Sequence, residues 1–252
     1  MKTTGNTIFI TGGTSGIGRG LAEAFHKLGN KVIIAGRRKS LLDEVAAANP
    51  GIDTVELDIS DFADIDRVAK KLIAEYPKLN VLINNAGIMP FDDASGLVDD
   101  KVSRNIIDTN LLGPIRMTSA LVEHLKAQPH ATIINNTSVL AFVPLASNAV
   151  YSATKAALHS YSLSQRFMLR DTNVKVQEIA PPWVDTDLVK KSGDPRAMPL
   201  DVYIAKTMKG LETDAPEVYV EEIASLRDNP GANEHAFVHG FNESLAANPI
   251  PV

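Results

Sequence analysis

The chain contains no cysteine among its 252 residues. Disulfide bonds, thiolate nucleophiles and cysteine-ligated zinc are therefore excluded, and a reducing compartment is the natural setting for such a chain. No apolar run approaches the roughly 18 residues that a transmembrane helix requires, and the first residues lack the apolar segment of a signal peptide. We therefore expect a soluble, cytoplasmic protein that does not enter a membrane.

A strong excess of either charge is also missing, because 25 basic residues stand against 30 acidic ones, for a net charge of -5. This balance gives no electrostatic basis for binding nucleic acid or an anionic membrane. The six histidines form no group with the spacing of a metal site. Chemistry on a small molecule, without a metal, is the expected function class.

Short apolar segments alternate with longer segments of helical period along the chain. The predicted strands lie at 7–11, 31–35, 54–57, 81–83, 132–135, 174–179 and 236–238. The longer predicted helices include 98–125, 150–169 and 216–227. This alternation predicts the α/β class, as a Rossmann-like, doubly wound parallel sheet with helices on both faces. The length fits a single domain over residues 1–252.

A glycine-rich run, Thr11-Gly-Gly-Thr-Ser-Gly-Ile-Gly18, follows the first predicted strand. Ligands of such sheets bind outside the carboxyl ends of the strands. Glycine at 12, 16 and 18 permits a tight turn, the close approach of a pyrophosphate and close helix packing, with a helix N-terminus facing the phosphates. Glycine-rich turns also occur without a nucleotide, but the position after the first strand favours nucleotide binding.

The second predicted strand ends in Ala35-Gly-Arg-Arg38, where cofactor choice is usually set. A carboxylate here would bind the adenosine ribose of NAD, but Gly36 has no side chain and two arginines follow. Because guanidinium binds phosphate well, the sequence favours NADP(H), with its 2′-phosphate near Arg37 and Arg38 beside it. NAD(H) is the alternative cofactor, and a solvated arginine pair is the alternative interpretation.

Tyr151 and Lys155 are four residues apart in a predicted helix, so their side chains share one face. A nearby ammonium favours phenolate and would lower the phenol pKa from roughly 10 towards the working pH, as a general acid/base requires. The pair therefore predicts proton transfer beside a nucleotide cofactor. His159, one turn further on, is expected at an interface or in the core, and a place on the catalytic face is the alternative.

Over essentially its whole length the chain resembles the classical short-chain dehydrogenases/reductases. The motifs, in order, are the glycine-rich run, Asp58, Asn84-Asn-Ala-Gly87, Asn110, Ser138, Tyr151 with Lys155, and Pro181-Pro-Trp-Val-Asp-Thr186. Ser138 stands thirteen residues before Tyr151. The N-terminal half is similar to a bacterial branch named for a gene beside those for teichoic-acid D-alanylation.

Together with the arginines after the second strand, the resemblance implies an NADP-dependent carbonyl reductase or alcohol dehydrogenase. Because no cluster of arginines calls for a carboxylate or phosphate substrate, a ketone, an aldehyde or a secondary alcohol is the expected substrate class. Tyr151 would be the general acid/base, and Lys155 would hold the nicotinamide ribose and depress the Tyr151 pKa. Ser138 would hydrogen-bond the substrate oxygen. Asn110 would anchor a water that connects Lys155 to solvent.

The resemblance also implies a cofactor-binding set. Asp58 would accept a hydrogen bond from the adenine amino group, and Thr186 with the backbone of Val184 would position the carboxamide. The whole set is Gly12, Thr14, Ser15, Gly16, Ile17, Gly18, Arg37, Arg38, Asp58, Ile59, Asn85, Ala86, Gly87, Tyr151, Lys155, Pro181, Val184 and Thr186. In the alternative interpretation, Asp58 caps the following helix and Ser138 belongs to a turn.

Two residues depart from the family pattern. Pro182 replaces the usual glycine and removes a backbone donor on the nicotinamide side, and Ala141 replaces a common glycine after the catalytic serine. Residues 187–215 are expected to form a mobile, partly apolar lobe over the site, an ordinary pair of amphipathic helices being the alternative. The fold does not specify the substrate.

Two other function classes share parts of the pattern. A nucleotide-sensing Rossmann protein without turnover would need the cofactor residues but not the catalytic set. An NAD-dependent sugar epimerase or dehydratase also carries Tyr-x-x-x-Lys, but generally needs a larger C-terminal domain than the 66 residues that follow Thr186. The resemblance further implies a homodimer or homotetramer, formed by the helices near 98–125 and 150–169.

Overall fold

A parallel sheet organises the molecule. The computed structural model describes residues 1–189, 191, 193–228 and 231–248, and within them seven strands follow the order β3-β2-β1-β4-β5-β6-β7. The strands are β1 (Thr7–Thr11), β2 (Lys31–Gly36), β3 (Asp53–Glu56), β4 (Leu79–Asn84), β5 (Ala131–Asn136), β6 (Val174–Ala180) and β7 (Glu217–Tyr219). Every pairing is parallel. The predicted doubly wound, Rossmann-like sheet is confirmed.

Helices lie on both faces of the sheet. They are α1 (Gly16–Lys27), α2 (Lys39–Ala48), α3 (Phe62–Glu75), α4 (Asp100–Ile107), α5 (Gly113–Lys126), α6 (Ala149–Met168), α7 (Leu200–Leu211), α8 (Ala224–Arg227) and α9 (Glu234–Ala247). Side chains alternate across a strand, so Ile8 and Ile10 of β1 join a core cluster with α1, while Phe9 joins a second cluster with α3 and α5. Two apolar layers therefore enclose a sheet whose central strands β4 and β5 are buried throughout.

The long helix predicted at 98–125 is divided in the structure. The Asp99 carboxylate caps α4 by accepting from the backbone N–H groups of Lys101 and Val102, so the helix begins later than predicted. A π-helical turn, Asp108–Leu112, then separates α4 from α5. A Cβ on Gly113 would lie 2.9 Å from the Ile59 backbone oxygen. The absence of a side chain at Gly113 therefore allows the start of α5 to lie close to the loop after β3.

The helix predicted at 216–227 is wrong over its first half. Residues Glu217–Tyr219 form β7, which pairs with β6, and a short 3-10 turn and α8 follow. The reason is a period of two in burial, because Val218 and Val220 are buried while Tyr219 between them is exposed. Packing against β6 therefore makes this segment a strand, although its sequence favours a helix.

The strand predicted at 236–238 is also wrong, since these residues lie within α9. Phe237, Phe241 and Leu245 recur every fourth residue, which is the spacing of one helical face. Phe241 and Leu245 pack against the core cluster that contains α1 and α7. Residues 236–238 are therefore helical because the longer segment around them has a helical period.

The segment expected to form a lobe, 187–215, contains a 3-10 turn at Asp187–Val189 and helix α7. Residues 190 and 192 of that segment lie outside the described residues. Tyr203, Ile204 and Leu211 of α7 belong to the core cluster shared with α1. A Cβ on Gly20 would lie 2.7 Å from a side-chain carbon of Ile204, so α1 and α7 are in close contact. In the ranges that the structure describes, no helix is long and apolar enough to cross a bilayer.

Candidate active site

A cavity of about 910 Å³ opens at the carboxyl ends of the strands. Its walls include every residue of the predicted cofactor set, from the glycine-rich run to Thr186. Ser138, Tyr151 and Lys155 also line it, whereas Asn110 lies behind the wall. The folded chain therefore brings predicted residues from distant parts of the sequence to the edge of the sheet where such folds bind ligands.

The glycine-rich run forms a backbone cradle in this cavity. Gly12 and Gly16 have positive φ angles of 68° and 52°, and a Cβ on Gly18 would lie 2.2 Å from the Gly12 carbonyl oxygen. Helix α1 begins at Gly16 with no side-chain cap and no acidic residue in its first turn. Its first N–H groups can therefore donate hydrogen bonds to an anionic group, so the cradle fits the pyrophosphate of a dinucleotide.

Arg37 and Arg38 follow β2 at one end of the cavity, and both are exposed. Neither guanidinium forms an ion pair with another residue in the described ranges. A Cβ on Gly36 would lie 2.9 Å from a methyl carbon of Thr14, so a larger side chain would press into the glycine loop. Two guanidinium groups thus follow the end of the second strand.

Asp58 lies in the loop that follows β3, and its side chain hydrogen-bonds within its own turn. Its Oδ1 accepts from the backbone N–H of Ser60 at 3.0 Å and from the Ser60 hydroxyl at 2.7 Å. Burial acts to raise the pKa of this carboxyl, but the two Ser60 bonds and the charge of Arg37 outweigh it and hold the pKa below its ordinary value. The alternative that Asp58 caps the next helix is wrong, because Asp61 caps α3.

Hydrogen bonds fasten the loops that surround the cradle. The Thr11 hydroxyl oxygen accepts from the backbone N–H groups of Asn85 and Ala86. The Asn85 amide donates to the carbonyl oxygens of Thr11 and Gly12, and its oxygen accepts from the Asn136 amide at 2.8 Å. The ends of β1, β4 and β5 are therefore joined. Sequence analysis did not assign a role to Thr11 or Asn136, whose partners lie far along the chain.

Tyr151 and Lys155 lie on the inner face of α6 and are 5% and 4% exposed. Lys155 Nζ lies 5.5 Å from the centre of the Tyr151 ring and donates to the carbonyl oxygen of Asn136 at 2.8 Å. The Ser138 side chain hydrogen-bonds Tyr151 and also accepts from the Leu140 backbone N–H. Ser138 therefore serves both a turn and the site, and a substrate oxygen placed here would meet two hydroxyl donors.

The expectation of a lowered Tyr151 pKa is wrong for the protein's own groups. Burial raises the pKa of Tyr151 to about 12, and the hydrogen bond with Ser138 offsets only part of this rise. Burial also lowers the pKa of Lys155 to about 8, against the opposing negative charge of Glu178. Desolvation disfavours the charged form of each group, and this effect dominates at both.

Asn110 lies in the π-helical turn and is completely buried. Its amide oxygen accepts from the Ile88 N–H and its nitrogen donates to the Ile88 carbonyl, both at 2.9 Å. A Cβ on Gly87 would lie 3.4 Å from the Asn110 oxygen and 3.8 Å from Lys155 Nζ. Asn110 thus fixes the loop after β4 beside the lysine, and its role in anchoring a water stays a prediction.

The opposite end of the cavity, which sequence analysis did not foresee, has an apolar wall. Its members include Met89, Leu140, Leu145, Leu226, Phe241 and Leu245. Asn242 fastens α9 over this wall, because its amide donates to the Pro144 carbonyl at 3.0 Å and accepts from the Ala146 N–H. The four-residue spacing of Phe241 and Leu245 was the available signal. Pro182 and Trp183 line the same cavity.

In the part of the chain that the structure describes, no group of three or more histidine, aspartate or glutamate side chains could hold a metal ion. The groups that converge on the cavity are instead hydroxyls, an ammonium and backbone donors. Such a set can bind a dinucleotide and transfer a proton to or from an oxygen.

Known proteins match this chain over most of its length. A sequence model of the family described as short chain dehydrogenase matches residues 6–197. An uncharacterized oxidoreductase, DltE of Bacillus subtilis (strain 168), is 43% identical over 234 residues, covering 90% of this chain and 93% of the relative.

Solved structures match as well. A short chain dehydrogenase from Burkholderia cenocepacia J2315 in complex with NADP has a TM-score of 0.82 at 30% identity, covering 94% of this chain and 99% of that one. A 3-ketoacyl-(acyl-carrier-protein) reductase from Brucella melitensis complexed with NADH has a TM-score of 0.79 at 27% identity, covering 87% and 97%. Proteins of this fold thus bind either nicotinamide dinucleotide.

Proposed function

Since the chain belongs to the short-chain dehydrogenase family and is an oxidoreductase of that family, we propose that it transfers a hydride between NADP(H) and a carbonyl or secondary alcohol. The observation that supports this most is the convergence of Ser138, Tyr151 and Lys155 beside a glycine cradle in one cavity. The proposed activity is that of a carbonyl reductase or alcohol dehydrogenase.

The reaction needs an acid for carbonyl reduction and a base for alcohol oxidation. NADPH would supply the hydride to the carbonyl carbon. Ser138 hydrogen-bonds the carbonyl oxygen and Tyr151 donates its phenolic proton to it, leaving a phenolate that the Lys155 ammonium stabilises. A pKa of about 12 keeps Tyr151 protonated at neutral pH, which suits the reductive direction. In oxidation the same groups act in reverse.

The apolar wall of the cavity supports an uncharged substrate that carries an apolar group beside its carbonyl. The side chains of Met89, Leu140 and Phe241 carry no charge and no N–H or O–H donor, so burying alkyl or aryl surface against them is favourable. A panel of ketones and aldehydes that differ in apolar bulk tests this proposal. Preference for small or charged carbonyls contradicts it.

The cofactor preference predicts a measurable effect of Arg37→Ala. A guanidinium bound to the 2′-phosphate contributes about 1.5–3 kcal/mol, so NADPH affinity should fall by roughly ten-fold to a hundred-fold while NADH affinity stays unchanged. Calorimetric titration of wild type and variant with both cofactors measures this directly. Arg67→Ala is the matched control, because Arg67 is an exposed arginine on α3 paired with Asp64. A wild-type preference for NADH overturns the arginine argument but keeps the enzyme class.

The acid/base assignment predicts that Tyr151→Phe loses about 10²–10⁴-fold in kcat while it keeps its affinity for NADPH. Tyr161→Phe is the matched control on the same helix, and it should retain activity. Wild-type protein that binds NADPH but turns over no carbonyl would favour the nucleotide-sensing alternative. A reaction without net consumption of NADPH would favour the epimerase or dehydratase alternative.

A further inference from the structure

A buried carboxylate lies behind the lysine and has no part in the mechanism above. Glu178 of β6 is 0% exposed. Its Oε1 accepts from the Thr137 hydroxyl at 2.7 Å, and both carboxylate oxygens lie 2.9 Å from His159 Nδ1. A buried acid of this kind is costly unless hydrogen bonds and charges compensate it. The groups around this carboxylate must therefore offset the cost of burying it.

The partners of Glu178 connect it to the site along the chain. Thr137 stands between Asn136, whose carbonyl oxygen accepts from Lys155 Nζ, and Ser138, which hydrogen-bonds Tyr151. His159 follows Lys155 by one turn of α6, so the two side chains share a helix face. The carboxylate thus fastens both the 136–138 segment and the helix that carries Tyr151 and Lys155.

Three basic side chains face Glu178 from two helices, namely Lys155 and His159 from α6 and Arg227 from α8. Arg227 is already engaged, because its Nε and Nη2 donate to the two oxygens of Glu217 at 2.5 and 2.8 Å. Glu217 is the register partner of Glu178 on β7. The negative charge of Glu178 also acts to raise the Lys155 pKa against burial.

We propose that Glu178 and His159 are positioning residues for Lys155, holding the 136–138 segment in place and supplying the buried negative charge that favours the ammonium form. His159 orients the carboxylate through Nδ1, while the Phe142 ring packs edge-on against the imidazole with centres 4.8 Å apart. The inference deepens the proposed function and rests on it for the catalytic consequence. The electrostatic part concerns the protein alone.

The first test measures the charge of Lys155 directly. Protein labelled with ¹³C at the lysine ε-carbon is titrated by NMR, and the Lys155 resonance is assigned with Lys155→Met. Glu178→Gln keeps the size of the side chain and removes its charge, so the Lys155 midpoint should fall by about one pH unit. Asp53→Asn is the control, because Asp53 is a partly buried carboxylate of the distant strand β3 that accepts a hydrogen bond from the Tyr76 hydroxyl. It should leave the midpoint unchanged.

The second test compares two substitutions of the imidazole. His159→Leu removes the donor to Glu178, whereas His159→Asn supplies an amide donor in its place. We expect His159→Leu to lower kcat about ten-fold with KM and NADPH affinity unchanged, and His159→Asn to restore most of that loss. A merely structural role would shift KM, cofactor affinity and melting temperature together.

The outcomes separate this inference from the proposed function. An unchanged Lys155 midpoint in folded Glu178→Gln overturns the electrostatic role. If Glu178→Gln fails to fold, the His159 pair decides, and a His159→Leu variant with wild-type kcat refutes the inference. If no carbonyl substrate is turned over, the proposed function fails, but the NMR titration still decides because it needs no turnover.

Discussion

Tyr151 and Lys155 respond to the same burial in opposite senses. The pKa of the phenol rises and that of the ammonium falls, since each neutral form is easier to bury than the charged one. The chain by itself therefore favours a neutral tyrosine, which is suited to donating a proton. In the oxidative direction the phenolate must form, and any positive charge brought by oxidised cofactor would help it to do so.

Lys155 also makes stability depend on pH in a predictable way. Its pKa is about 8 in the folded protein and 10.5 ordinarily, so the unfolded chain binds more protons between these values and stability should rise with pH through this window. Below pH 8 the cost of burying the ammonium is fully present. The free energy of unfolding of Lys155→Met, compared with that of wild type, should therefore be most favourable near pH 7. This difference should fall by about 3 kcal/mol by pH 10.5.

Denaturant unfolding of both proteins across this pH range checks the prediction. Lys101→Met, at an exposed lysine of α4, is the control and should show a flat difference from wild type. A flat difference for Lys155→Met as well would mean that the ammonium is not desolvated in the folded state.

At the scale of elements, the glycine cradle predicts different effects for two glycine-to-alanine substitutions. In Gly18→Ala the new Cβ would meet the Gly12 carbonyl oxygen at 2.2 Å, and that backbone atom cannot move without opening the cradle. We expect NADPH affinity to fall at least about ten-fold, or the protein to lose about 1–3 kcal/mol of stability. Calorimetric titration and thermal unfolding measure the two effects.

Gly240→Ala is the matched control for Gly18→Ala. Gly240 lies inside α9, a Cβ there would meet no atom of the described residues within 4 Å, and its φ is not positive. Alanine is the better helix former, so this variant should be as stable as wild type or more so. Equal behaviour of the two variants would contradict the cradle argument.

Sequence patterns predicted some elements well and others badly for a physical reason. Strands β1 and β4 are buried along nearly their whole length, and each carries three consecutive apolar residues, at 8–10 and 81–83. Strand β7 has only three residues and exists because β6 offers it an edge, which no local pattern reveals. Likewise, the contact of Glu178 with His159 joins a strand to a helix and follows from tertiary packing alone.

At the scale of the whole molecule, apolar side chains on the outer face of α6 support self-association. Leu163, Phe167 and Met168 are exposed there, and so much apolar surface on one helix is typical of an interface. We propose that a second copy of the chain covers it, giving a homodimer or homotetramer.

Leu163→Glu combined with Phe167→Glu should then yield monomers, because two like charges would face their copies in the interface. Light scattering after size-exclusion chromatography measures the mass. Ile73→Glu, at an exposed apolar residue of α3, is the control and should leave the assembly intact. A double variant with the wild-type mass argues against this surface.

The strand order also affects how the sheet can form while the chain is synthesised on the ribosome. In the order β3-β2-β1-β4-β5-β6-β7, each newly made strand joins an edge formed by strands synthesised before it. The first three strands extend the sheet to one side, and β4 to β7 then extend it to the other. No strand has to be inserted between two that are already paired, so the sheet can grow outwards in the order of translation.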